Sequence, residues 1–157
     1  MQTIQKKSVK VGKFVNTEHV DSVIKNYKQE RWVHNSKRLG KEDSLSAWFS
    51  VEELEEFLET VKEHGGDGVK IYFGTYGKNY TEQPLYAGRQ TVVLVATKVK
   101  ETKKGTVNKD LYISGENENT ILAYNCATIC PPFCPNDDFG GIGITIVDQG
   151  KDGIVIV

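Results

Sequence analysis

The sequence predicts a single α+β domain spanning residues 1–157. Two helices in the N-terminal half should pack on a mostly antiparallel β-sheet that closes with a C-terminal hairpin. Three observations carry this expectation. Apolar residues recur at helical spacing over 20–27 and 54–61, then at strand-like spacing from Val69 onward. The chain has 157 residues, 38% of them hydrophobic, which suits one core and leaves little room for two. Helices first and strands afterwards, instead of alternating βα units, is the pattern of the α+β class.

At the start, Val9, Val11 and either Phe14 or Val15 fit a short strand. Lys6, Lys7, Lys10 and Lys13 lie between them, and lysines on a strand discourage edge-to-edge pairing. The first helix is better marked. Asn16 is a suitable N-cap, and Glu18 and Asp21 complement the positive end of the dipole. Val15 and Val20 occupy the two positions of a hydrophobic staple. Val20, Val23, Ile24 and Tyr27 then form one buried face, which Arg31 interrupts, so the helix is expected to end between 30 and 34. The polar stretch 34–44 reads as a long surface loop.

Ser50 followed by Glu53 is a capping box, and Phe49 and Leu54 supply its staple. Leu54, Phe57, Leu58 and Val61 make a continuous apolar stripe, with six glutamates between 52 and 63 facing away. Gly65 provides the left-handed residue that commonly stops a helix. A helix over 51–64 follows. Beyond it the period shortens to two. Val69, Ile71 and Phe73 alternate with polar or smaller partners, and 77–88 reads as a loop. Thr91–Ala96 is a nearly continuous β-branched run, as in a strand covered on both faces, and 98–104 continues it in polar form. Segments 110–113 and 120–124 suit two strands around a polar turn. Ile142, Ile144 and Ile146, with the apolar run 154–157, suit a closing hairpin.

Composition narrows the function classes. No apolar run approaches the roughly 18–20 residues of a membrane-spanning helix, so no membrane partner is expected. The N-terminus has two lysines but no apolar stretch behind them, which predicts a cytoplasmic protein unless a leader once preceded it. Net charge is −1, yet residues 1–41 carry ten basic and three acidic side chains. That asymmetry makes nucleic-acid binding through 6–41 a minor alternative, since a dedicated binder is strongly basic overall.

Cys126, Cys130 and Cys134 fall within nine residues at C-x3-C-x3-C spacing. Clustered thiolates suit zinc or an iron–sulfur cluster, with His19, His34 or His64 as a fourth ligand. The same three residues also fit a local disulfide, or inert buried thiols beside Pro131 and Pro132. No catalytic residues are assigned. The chain has no nucleophile elbow, no H-E-x-x-H and no phosphate loop, and its acidic turns lack the ligand ladder of an EF-hand.

An aromatic group stands out. Tyr72, Tyr76, Tyr80 and Tyr86 lie close in sequence, with Arg89 following. Aromatics beside basic groups can bind a ligand or partner; the competing reading is tyrosines packed across strands. The leading expectation is therefore a small soluble binding or interaction module without catalytic activity, using this Tyr-rich strand and loop. Its partner would be a protein or small molecule. The alternative is a metal- or cluster-binding protein centred on the three cysteines. A homo-oligomer is compatible with either, through pairing of the apolar strand 154–157.

Overall fold

The computed structural model describes residues 10–134. The expected C-terminal hairpin, and Val9 of the expected first strand, lie outside the described residues. In chain order the helical elements are α1 (Thr17–Tyr27), a π-helical stretch (Lys28–Trp32), α2 (Val33–Leu39) and α3 (Val51–Glu63). The strands are β1 (Ser46–Trp48), β2 (Gly68–Thr75), β3 (Gln90–Thr102), β4 (Gly105–Asp110), β5 (Tyr112–Ser114), β6 (Asn119–Ile121), β7 (Ala123–Tyr124) and β8 (Thr128–Cys130). Helices in the N-terminal half followed by antiparallel strands make this an α+β fold. The described residues group into two compact units, 10–13 with 50–72 and 93–125, and 14–49 with 73–92 and 126–134.

The first unit is organised by α3. The Ser50 hydroxyl accepts from the Glu53 amide at 3.1 Å, and the Ser50 amide donates to the Glu53 carboxylate at 2.7 Å. This is the capping box read from the sequence. At the far end Gly65 has φ +80°. Its amide bonds the Lys62 carbonyl at 3.0 Å, and the Gly66 amide bonds the Val61 carbonyl at 2.8 Å. That pair of bonds is a Schellman motif, which needs a left-handed residue at the first position beyond the helix. Phe57 and Val61 are buried. The Phe57 ring stacks on Tyr124 of β7 with centroids 5.5 Å apart.

Residues Leu94–Thr97 of β3 are buried, as expected for a central strand. Strand β4 pairs antiparallel with β3 from Thr97↔Asp110 to Thr102↔Gly105, and β7 pairs with it at Leu94↔Tyr124 and Val95↔Ala123. The β4 half of this hairpin escaped the sequence analysis because Gly105–Asp110 has one apolar residue and so no alternation to see. β5 and β6 form the expected small hairpin.

The second unit holds the N-terminal helical rod, and here two expectations are corrected. Residues 10–15 do not form a strand; they are exposed and irregular. The helix does not end between 30 and 34 but continues to Leu39, giving 23 consecutive helical residues. The π-helical stretch explains the second difference. It inserts one residue into the helical register, so the inward position after Tyr27 falls five residues on, at Trp32, and not four on, at Arg31. Trp32 is half-buried while Arg31 is exposed. Gly40, at φ +75°, ends α2 and returns its amide to the Ser36 carbonyl at 2.9 Å. What the sequence suggested as a loop over 34–44 is therefore reduced to its last few residues. β1 pairs antiparallel with β8, Ser46↔Cys130 to Trp48↔Thr128; three residues are too few to show a period.

Candidate functional site

The tyrosines singled out from the sequence are placed in different ways. Tyr76 and Tyr86 are 9% and 8% exposed and belong to the second unit's core, with Ala127 and Ile129. The Tyr76 ring lies 4.5 Å from Tyr80 and 5.4 Å from Tyr86, and Phe133 meets Tyr86 edge-on at 5.6 Å. Their hydroxyls act inside the fold: Tyr76 accepts from the Thr91 hydroxyl at 3.3 Å, and Tyr86 from the Ile129 amide at 3.4 Å. Tyr80 is half-buried and donates to Glu82 at 3.1 Å. Desolvation, then the bond to the Glu82 carboxylate, push its phenol up to about 12.

Arg89 is buried as well. Its Nε donates to the Glu42 carbonyl at 2.8 Å, and a terminal nitrogen donates to the Leu85 carbonyl. Burial lowers its pKa from the ordinary arginine value, a shift opposed by the Asp43 and Glu42 charges. Here the guanidinium staples two stretches of backbone. Tyr72 belongs to the first unit, where it is exposed and donates to Asp110 at 2.6 Å. The structure thus brings Tyr76, Tyr80 and Tyr86 together as packing, with Arg89 inside the same unit and Tyr72 elsewhere.

The cysteines are not three convergent thiolates. Cys130 and Cys134 are joined by a disulfide, and Cys126 stands outside it, exposed. Among the described residues no group of three or more His, Cys, Asp or Glu side chains could hold a metal ion. Disulfide sulfurs no longer offer the thiolate lone pairs that zinc or a cluster takes up. His19 and His34 are exposed, and His64 donates Nδ1–H to the Thr60 carbonyl at 2.9 Å, at the C-terminal end of α3.

A different feature of the second unit has the shape of a site. It is an open cleft of about 300 Å³. One wall is the face of α1 that the helical spacing marked out, carrying Val23, Ile24 and Tyr27. Leu45 and Ala47 supply a second wall, and Phe73 and Val92 a third. Val23 and Phe73 stand at its rim, 53% and 80% exposed.

The polar groups along the cleft are turned onto one another. The Tyr27 hydroxyl donates to the Gln90 side chain at 2.6 Å, and the Ser44 hydroxyl donates to the Gln90 carbonyl. Burial, reinforced by the nearby Asp43 charge, raises the Tyr27 pKa from the ordinary tyrosine value. Apart from the exposed Ser46, what remains for a visitor is mainly hydrocarbon and ring surface. Such a lining takes an apolar side chain or aromatic ring and offers little to an ion.

Asp43, buried at 4% exposure, holds this geometry in place. Its Oδ1 accepts from the Ser44 amide at 2.9 Å and the Gln90 amide at 2.7 Å. Its carbonyl accepts from the Trp32 indole at 2.8 Å, and its amide donates to the Ser36 hydroxyl at 2.9 Å. One residue therefore ties the helical rod, the segment leading into β1 and the start of β3. The α1 stripe is legible in the helical spacing, but no local pattern marks that part of it stays open or that Asp43 is the clasp.

Compared with known proteins, the chain matches no family of related sequences, no curated protein and no solved structure.

Proposed function

We propose that this chain is a binding module whose second-unit cleft receives an apolar, preferably aromatic, side chain from a protein partner. The carrying observation is the cleft itself: a mainly apolar recess of about 300 Å³ whose polar neighbours Tyr27, Ser44 and Gln90 are already bonded to one another, with Phe73 standing at its rim. An apolar cavity of about 150 Å³ already accepts a benzene ring, so the space suits one aromatic anchor. Anchors of that kind supply most of the energy of small protein interfaces. This reading keeps the interaction module expected from the sequence. It moves the contact surface from the Tyr-rich loop, whose rings at 76 and 86 are committed to packing, to the α1 cleft.

The test is a titration with N-acetyl-phenylalanine amide, followed through the methyl resonances of the full chain. Saturable shifts concentrated at Val23, Ile24, Leu45 and Val92 are expected, with a dissociation constant of about 1 mM for so small a probe. Shifts that scatter over the molecule, or none at millimolar probe, overturn the reading.

A further inference from the structure

The chain carries its own candidate anchor. Immediately before α1, Phe14 is fully exposed, Val11 nearly so at 94%, and Val15 about half. A phenylalanine so exposed forgoes the stabilisation that burial in an apolar site would return. Exposed apolar residues set this close together mark an interaction site more often than a solvated surface.

Geometry keeps Phe14 from its own cleft. Asn16 is an N-cap in extended conformation (φ −87°, ψ 170°), and its side chain accepts from the His19 amide at 2.9 Å. That conformation turns the incoming chain off the helix axis. One residue, Val15, separates Phe14 from the cap, so their Cα atoms lie at most about 7 Å apart, whereas Ile24 lies about 12 Å along the helix from Asn16. To fold Phe14 back would mean breaking the cap. A second copy can be met with the cap intact.

Resting on the cleft reading above, we infer that the partner is a second copy of this chain, and that the Phe14 segment of each copy seats its ring in the α1 cleft of the other. The area involved sets the strength. A phenylalanine buries about 150–250 Å², so two rings and the two surfaces they cover amount to about 800 Å². Val11 and Val15 bring the total near the ~1,000 Å² at which specific interfaces begin. The dimer is accordingly a weak, two-fold exchange of arms, with a dissociation constant of about 10–100 μM.

Sedimentation of the full chain from micromolar to millimolar concentration tests this, using two variants at exposed positions that leave the core alone. The wild type should dimerise reversibly, while Phe14→Asp and Val23→Glu should each weaken dimerisation about 30-fold or more. Mixed together, the two variants should associate better than either alone, because the Val23→Glu copy still offers its arm to the intact cleft of the Phe14→Asp copy. A wild type that stays monomeric, or a dimer indifferent to Phe14→Asp, overturns the inference. Titrating the Phe14→Asp chain with N-acetyl-phenylalanine amide separates the two layers. If the wild type is monomeric but the probe still shifts the Val23 and Ile24 methyls, only the second-copy partner falls. If the probe leaves them unmoved, the cleft reading falls, and the arm exchange with it.

Discussion

Asp110, at the end of β4, sits between two groups of β2. The Lys70 ammonium bonds its Oδ1 at 2.8 Å, and the Tyr72 hydroxyl donates to Oδ2 at 2.6 Å. The Lys70 bond, then the Tyr72 bond, hold its carboxyl below the usual carboxylate range. A carboxyl with a lower pKa in the folded state than in the unfolded one stabilises the fold above the unfolded value, about 3.9, and loses that contribution as pH falls through the folded value. For Lys70 the sign reverses. The bonds to Asp110 and Tyr72 raise its pKa, so its share is complete below the unfolded value and disappears as pH climbs through the raised one. The groups are partly exposed, which keeps the effect small. Thermal melts should show Asp110→Asn about 1–3 °C below wild type at pH 7. The gap should narrow as pH falls below the ordinary aspartate value and through the lowered folded one; a gap that stays undiminished in acid would mean the carboxylate charge is not its source.

Both ends of α3 are chemically fixed by residues close to it in sequence. Ser50 and Glu53 satisfy its first amides, and the Gly65–Gly66 turn satisfies its last carbonyls. Ser50→Ala should cost about 1 kcal/mol by removing the cap acceptor. Gly65→Ala should cost about 1–2 kcal/mol, because a Cβ is strained at φ +80°. Thirteen helical residues lie between the two ends, so the losses should add in the double variant to within a few tenths of a kcal/mol. Urea unfolding of the four chains measures this directly, and a shortfall in the sum would show that the two ends fray together. The α1–α2 rod is built otherwise. Its π-helical stretch re-aims the inward face so that Trp32 reaches the Asp43 carbonyl.

For the molecule as a whole, the disulfide divides the three cysteines into a bonded pair and one exposed thiol. Alkylation of the folded chain without reductant should therefore add one group, at Cys126, and alkylation after reduction and unfolding should add three. Intact mass spectrometry counts them. Three groups taken up without reductant would mean that Cys130 and Cys134 are reduced, and would reopen the sulfur cluster as a ligand set. No helix among the described residues is long and apolar enough to cross a membrane. The charge excess of residues 1–41 includes Lys28, which is buried, and exposed bases such as Lys37, Arg38 and Lys41.

The elements that could be read from the residues alone are those whose signals are local. The α3 helix, with both of its caps, rests on residues within a few positions of one another. So do the start of α1 at Asn16 and the central strand through Val95. Period and capping chemistry act over one or two helical turns, so they can be read in one dimension. The remaining features depend on partners distant in sequence. The length of the rod turned on a register shift that places Trp32 against Asp43. The tyrosines at 76 and 86 became core because β8 brings Ala127 and Ile129 against them, and no spacing within 72–89 encodes that. The pairing of two cysteines, and the opening of the α1 face into a cleft flanked by Phe73, likewise follow from which surfaces meet. Burial is a property of those meetings, and a linear pattern records only which residues are able to take part.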